Sequence, residues 1–179
     1  MILAARRTLL RQRFYIFALA FLMSGAGSSG AASSVIALSP PFNWTAAPPS
    51  QFGPVPRHVV VLGFWSAPPD PALPFRQDVN VVQSASSGSL RQDVDHHLRD
   101  LKAKYPGLRV LDRRANARCR SGVSQVVLVS LRTDTYNLAI ESVYTVAQKR
   151  LFIGTYMREA GEVVYGTAKD SIEEMCPSR

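Results

Sequence analysis

The sequence has few of the residues that build common active sites. It contains only two cysteines, Cys119 and Cys176, and three histidines, His58, His96 and His97. The two cysteines stand 57 positions apart, which excludes a C-x-x-C redox centre and a cysteine-rich zinc site. The hydrolase motifs G-x-S-x-G, H-E-x-x-H and S-x-x-K are also missing. We therefore expect a protein that is not an enzyme and that uses no cofactor.

The chain also lacks an apolar run long enough to span a bilayer. Four arginines between Arg6 and Arg13 precede ten apolar residues, Phe14 to Met23, and a stretch of small residues follows. This order is typical of a secretory signal peptide, and ten residues are too few for a transmembrane helix. We predict a signal peptide over residues 1–32, with cleavage near Ala32 or Ala26, and a secreted or periplasmic protein without a transmembrane span. An uncleaved membrane anchor is the alternative.

A strong basic excess is missing from the predicted mature chain. The full sequence has 21 Lys and Arg against 13 Asp and Glu, a net charge of +8, and the four leader arginines supply half of it. Nucleic-acid-binding domains usually carry a larger and more clustered excess. We expect a partner other than nucleic acid, either an unknown protein or a component of the cell envelope.

Proline is concentrated in one part of the chain. Ten of the twelve prolines lie between Pro40 and Pro74. Because proline has no backbone N–H and a fixed φ, this stretch cannot be regular throughout. We predict a Pro-rich N-terminal arm over residues 33–57, followed by one folded domain over residues 58–179.

Strand and helix patterns follow one another along that domain. Ser89 and Gln92 form a capping-box pattern before a helix whose apolar stripe ends at Tyr105. Strands are predicted at His58–Ala67, Asp78–Ser84, Leu108–Leu111, Val123–Leu131, 137–147 and 151–157, and a last helix at Glu162–Met175 with an apolar face of Tyr165, Ala168, Ile172 and Met175. The order predicts an α+β fold, an antiparallel sheet covered by two helices.

This order of elements resembles the PsbP-like superfamily, which includes the extrinsic P protein of the oxygen-evolving complex and secreted bacterial DcrB-like proteins. The matching stretches are FRQDVNVVQ, Phe75–Gln83, before the capped helix, and YTVAQKRLFIGTY before a helix that ends at MCP. The resemblance covers Val59–Cys176, and the Pro-rich arm departs from it. It implies an α/β/α sandwich that acts as a non-catalytic binding or accessory domain outside the cytoplasm. The alternative is an exported hydrolase or divalent-metal-binding protein with dispersed site residues.

The densest group of possible metal ligands is DVDHHLRD, residues 93–100. On a helix, Asp93 would share a face with His97, and His96 with Asp100. Two ligands do not make a stable site, so no metal is favoured. In the other interpretation His97 is half-buried beside the apolar stripe and bonded to Asp93, and His96 is solvated near Asp100.

Arginine is abundant in one short stretch. Five arginines lie within twelve residues, and we expect them in a turn between two strands or at the shoulders of that turn: Arg109, Arg113, Arg114, Arg118 and Arg120. One interpretation is an anion-binding surface for a lipid head group or wall polymer. The other is a solvated turn whose arginines keep a sheet edge from pairing.

The two cysteines allow one internal pairing, and an exported chain reaches an oxidising compartment. We therefore predict a disulfide bond between Cys119, in the arginine-rich stretch, and Cys176, after the last helix. Free thiols, or a bond between two chains at Cys176, are the alternatives.

Overall fold

The computed structural model of the protein describes residues 35–48, 55–73 and 75–178. Over these residues the chain forms a seven-stranded antiparallel sheet with two helices, which confirms the predicted α+β class. The strands are β1 (Thr45–Ala46), β2 (Val60–Ser66), β3 (Asp78–Ala85), β4 (Leu108–Ala115), β5 (Ser124–Arg132), β6 (Asn137–Ala147) and β7 (Arg150–Glu159), and the helices are α1 (Leu90–Lys104) and α2 (Gly166–Glu173). The predicted signal peptide lies outside the described residues.

The strands lie in the order β1-β2-β3-β7-β6-β5-β4. The long β6–β7 hairpin fills the centre of the sheet, and its turn places Gln148 and Lys149 at φ 49° and 59°. Two successive left-handed residues match the right-handed twist of the flanking strands. The sheet ends at the two-residue β1 on one side and at the eight-residue β4 on the other. A long strand edge is therefore left beside β4.

The first helix begins where the capping pattern predicts. The Ser89 side chain accepts a hydrogen bond from the Gln92 backbone N–H at 3.4 Å. The Ser89 N–H donates to Ser87 Oγ at 3.3 Å, so a serine takes the place that the Gln92 side chain has in a complete capping box. Val94, 0% exposed, and Leu101 face the sheet as the apolar stripe predicts.

The sheet has a core on each face. The core on the α1 face includes Val82, Val94, Val127, Ile140, Tyr144 and Ile153. The core on the α2 face includes Trp65, Val79, Val126, Phe152, Ile172 and Met175. Strands β3, β5, β6 and β7 supply side chains to both cores, so the centre of the sheet is covered on its two sides.

Helix α2 packs closely because β7 has a glycine beneath it. A Cβ atom on Gly154 would lie 2.6 Å from Met175 Cε and 3.0 Å from Ile172 Cγ2. The helix is shorter than the predicted Glu162–Met175, because the chain before Gly166 is bonded to other parts of the domain. Tyr165 precedes the helix as its N-cap and is exposed, so its predicted place on the buried face is wrong.

The described part of the predicted N-terminal arm contacts the domain. Strand β1 pairs with β2, and Ile36 forms an isolated antiparallel bridge with Pro177 after α2. The Ala37 N–H donates to the Cys176 carbonyl at 3.2 Å. These contacts bring the beginning of the described chain to the end of α2.

Candidate functional site

The arginine-rich stretch differs from the predicted turn. Strand β4 extends to Ala115, four residues beyond the predicted end, because β5 pairs with it as far as Gln125. Arg109, Arg113 and Arg114 therefore lie on an edge strand, and only Arg118 and Arg120 lie in the turn. The strand predicted at Leu108–Leu111, with Arg109, is present, but its predicted end is wrong because cross-strand pairing extends it through charged residues that local sequence assigns to a turn.

Arg113 and Arg114 are adjacent on β4, so their side chains point to opposite faces of the sheet. The Arg113 guanidinium donates to Asp95 on α1, and this hydrogen bond lowers the pKa of the Asp95 carboxyl. The Arg114 guanidinium bonds to Glu173 on α2 at 3.0 Å and to Asp112 at 2.9 Å. The edge strand is thus joined by ion pairs to both helices.

The turn after β4 is also bonded to α2. The Arg118 guanidinium contacts Asp170, Glu173 at 3.3 Å and Glu174 at 3.0 Å. One residue later, Cys119 forms a disulfide bond with Cys176, with Cα atoms 5.2 Å apart, in agreement with the predicted pairing. The disulfide and the ion pairs hold the same turn against the same helix.

The five arginines therefore do not form one uniform basic surface. Arg113, Arg114 and Arg118 are engaged with carboxylates. Arg109 and Arg120 are exposed, and neither has a salt-bridge partner among the described residues. Fewer of the five positive charges are consequently without a neighbouring carboxylate than the composition of the stretch indicates.

Arg113 also lines a groove with a volume of about 480 Å³, which lies between the beginning of α1, the end of β4 and the beginning of β5. The lining residues are Leu90, Arg91, Arg113, Ala115, Gly122, Ser124 and Gln125. Arg91 is almost fully exposed and lies 3.9 Å from Asp95, the carboxylate that it shares with Arg113. Two guanidinium groups near one carboxylate leave a positive excess beside the groove.

The structure separates the possible metal ligands of α1. The Asp93 carboxylate accepts hydrogen bonds from Ser86 Oγ at 2.6 Å and from the Ser87 N–H at 2.9 Å. His96 Nε2 and Asp100 Oδ2 lie 3.5 Å apart, and both side chains are partly exposed. Among the described residues, no three His, Cys, Asp or Glu side chains come together where they could hold a metal ion.

His97 is buried more deeply than the half-buried position we predicted. Its ring lies against the Tyr144 ring, with centroids 5.5 Å apart and planes inclined by 69°. Burial lowers the pKa of His97 to about 4, with a smaller effect from the neighbouring His96. The imidazole is therefore neutral at physiological pH.

A row of polar side chains crosses the α1 face beside His97. Asn80, Thr155 and Ser142 are register partners on β3, β7 and β6, and all three are buried. Asp78, two residues before Asn80, is partly exposed as a residue, but its Oδ1 atom is buried. Burial raises the pKa of Asp78 to about 8, although a hydrogen bond with Asn80 opposes this effect.

Sequence reasoning missed this row. Among the described residues, neither Asp78 Oδ1 nor Asn80 Oδ1 has a hydrogen-bond partner, and such groups are uncommon in protein interiors. The alternation in DVNVVQS predicts the strand correctly, but a single sequence carries no signal that the polar positions of that strand are also covered.

Within the described residues, no helix is both long and apolar enough to cross a bilayer.

No protein-family model matches this chain, and no curated protein matches it in sequence. The solved structures that are similar in fold include the following two. LpqN of Mycobacterium tuberculosis, a protein involved in cell envelope biogenesis, is 15% identical with a TM-score of 0.49, over 80% of this chain and 83% of LpqN. PA94 of Pseudomonas aeruginosa, of unknown function, is 12% identical with a TM-score of 0.41, over 66% of this chain and 84% of PA94. Similarities at this level carry no argument about function, and the PsbP-like resemblance stays a hypothesis.

Proposed function

We propose that the protein is an exported, non-catalytic binding or accessory domain that works in the periplasm or cell envelope. The Cys119–Cys176 bond supports an oxidising compartment, because structural disulfides persist there and are rare in the cytosol. The predicted signal peptide points to the same compartment. The PsbP-like resemblance implies the same kind of function and remains part of this proposal.

The binding role is inferred from the groove between the beginning of α1, the end of β4 and the beginning of β5. It is concave, and its charged lining residues are Arg91 and Arg113. Guanidinium groups bind carboxylates and phosphates through paired N–H donors. The groove therefore suits an anionic group of an envelope polymer or of a partner protein.

The same lining residues favour binding over chemistry. Arginine stays protonated in proteins and makes a poor general acid or base. The groups whose pKa values are most strongly shifted, Asp78, Tyr144 and His97, belong to the buried α1 face and do not line the groove. A hydrolase would need a nucleophile and a base in contact at an accessible position.

The test uses retention on immobilised heparin, a sulfated polysaccharide that stands in for an anionic envelope polymer. We expect the parent protein to elute at clearly higher salt than an Arg91→Glu, Arg113→Glu double variant. The control is an Arg109→Glu, Arg120→Glu double variant, which makes the same change in net charge at exposed arginines that do not line the groove.

Equal losses of retention in both double variants would show that only net charge matters and would contradict the groove as the site. Turnover of an ester or peptide substrate by the parent protein, abolished by a single substitution, would contradict the non-catalytic role.

A further inference from the structure

Apolar side chains are exposed together at the junction of β7 and α2. The 160–165 loop, which connects these two elements, presents Val163, 78% exposed, with Val164 and Tyr165 beside it. The Tyr165 ring contacts the Trp44 ring, with centroids 5.8 Å apart. Phe42, 74% exposed, lies two residues before Trp44 in a turn closed by the Trp44 N–H and the Pro41 carbonyl. Two separate parts of the chain thus contribute to one apolar and aromatic surface.

The backbone of the 160–165 loop is firmly held beneath these side chains. The Val163 carbonyl accepts a hydrogen bond from Gln77 Nε2 at 3.1 Å, and the Tyr165 N–H donates to Tyr156 Oη at 3.1 Å. The Ala160 N–H donates to the Asn137 carbonyl at 2.6 Å. The backbone that carries the exposed valines is therefore held by hydrogen bonds, so little conformational entropy is lost when these side chains bind a partner.

Two charged residues, Arg158 on β7 and Glu162 in the loop, are bonded at the base of this surface. The Glu162 carboxylate turns inward, where Oε2 accepts hydrogen bonds from the Glu159 N–H at 3.1 Å and from Gln77 Nε2 at 3.2 Å. The Arg158 guanidinium donates to the carbonyls of Glu159 and Glu162, each at 3.3 Å. Among the described residues, no carboxylate forms a salt bridge with Arg158. The end of β7 beside the loop therefore carries an arginine without an acidic partner in the described part of the chain, while the acid of the loop itself is turned inward.

We propose that the 160–165 loop and the 41–44 turn form a surface that docks on an anionic lipid bilayer. Tryptophan and tyrosine favour the boundary between head groups and acyl chains, aliphatic side chains insert below it, and a nearby cation pairs with anionic head groups. The net charge of +8 on the full chain, half of it from the four arginines between Arg6 and Arg13, attracts the protein to an anionic bilayer rather than a neutral one.

The length of the N-terminal segment is compatible with docking on a bilayer. Eleven residues separate the apolar run that ends at Met23 from Val35, where the described chain begins. Fully extended, they would span about 40 Å at most. If the apolar run is retained as an anchor, it holds the domain within reach of the bilayer.

The test measures quenching of Trp44 fluorescence by brominated phosphatidylglycerol vesicles, with brominated phosphatidylcholine vesicles as the neutral comparison. It uses the full chain, and a Trp44→Phe variant identifies the Trp44 signal against the buried Trp65. We expect quenching by the anionic vesicles, and a loss of affinity of about tenfold in a Val163→Ser, Val164→Ser variant, since each valine loses part of its transfer free energy. The control is a Val110→Ser variant, which should bind as the parent does. Val110 lies on β4, away from the loop, and is about as exposed as Val164.

The other outcomes contradict the proposal. If the anionic vesicles did not quench Trp44 fluorescence, or quenched it equally in the parent and in the double valine variant, the surface would not enter the bilayer. Sedimentation without vesicles that reveals a dimer, lost in the valine variant, would assign the surface to a second copy of the chain. If the double variant does not fold, as circular dichroism would show, Phe42→Ser takes its place with the same expected loss.

Discussion

The two faces of the sheet differ in how they hold their buried polar groups. On the α2 face, Asn116 Nδ2 donates to the Glu173 carbonyl at 2.8 Å and to Ser124 Oγ at 3.2 Å. Thr145 Oγ1 donates to the Met175 carbonyl at 2.9 Å. These side chains connect the last turn of α2 and the residues after it to β5, to β6 and to the residue that follows β4. The polar groups of this face therefore fix the position of the helix.

On the α1 face, the buried polar groups of β3 do not reach the helix in this way. Asp78 Oδ1 and Asn80 Oδ1 lack hydrogen-bond partners among the described residues, and His97 meets the sheet through its contact with Tyr144. An unsatisfied buried group costs free energy, whereas a satisfied one is close to neutral or favourable. The comparison indicates that the buried polar groups of the α2 face stabilise the fold, whereas those of the α1 face lower its stability.

The disulfide gives the largest expected effect, because it joins the α2 side to the turn after β4. A Cys119→Ser, Cys176→Ser variant should lose about 4 kcal/mol of unfolding free energy, the chain-entropy value for a loop of this length, closed between residues 57 positions apart. Denaturant unfolding checks this, and the reduced parent should behave as the variant does. Two alkylated cysteines in the denatured, unreduced parent would contradict the bond.

The hydrogen bonds of the α2 face give the next effect. Asn116→Ala leaves the Glu173 carbonyl and Ser124 Oγ without their donor, so we expect a loss of about 2–3 kcal/mol. Asn80→Ala on the α1 face removes one hydrogen bond to Asp78 together with an Oδ1 that is already unsatisfied, and we expect a loss of about 1 kcal/mol. Both variants are compared by denaturant unfolding at neutral pH. Equal losses would mean that the two faces do not differ in the way described.

These contrasts separate what local sequence predicts from what it does not. The alternation in β3 and the Ser89 cap are local features, and they predicted a strand and a helix correctly. The pairing of Cys119 with Cys176 followed from their number and the expected compartment. The end of β4 was not predictable, because DRRA becomes a strand only through its pairing with β5. The burial of Asn80 depends on the coverage of both faces of the sheet, and the groove depends on how α1 approaches β4 and β5. Neither is a property of any short segment.

The buried titratable groups of the α1 face should make the unfolding free energy depend on pH, and this effect should be smaller than those of the substitutions above. Between about pH 4 and 6.5, the unfolded chain holds the His97 proton and the folded chain does not, so this group makes stability rise with pH. Asp78 acts in the opposite direction, because the folded chain keeps its proton up to about pH 8 and the unfolded chain loses it near 3.8. The two contributions nearly cancel below pH 6.5, and above it only Asp78 remains.

We therefore expect the unfolding free energy of the parent to fall between about pH 6.5 and 8, by at most about 2 kcal/mol at 1.4 kcal/mol per pH unit. An Asp78→Asn variant, which is neutral in both states, should lose this fall and show, below pH 6.5, the rise from His97 that Asp78 offsets in the parent. Asp134→Asn, at an exposed turn between β5 and β6, is the matched control and should follow the parent. Denaturant unfolding across this pH range measures all three proteins. If the Asp78→Asn variant retained the parent's decline above pH 6.5, Asp78 would not be the group that titrates, and the polar interior of the α1 face would not carry the cost assigned to it.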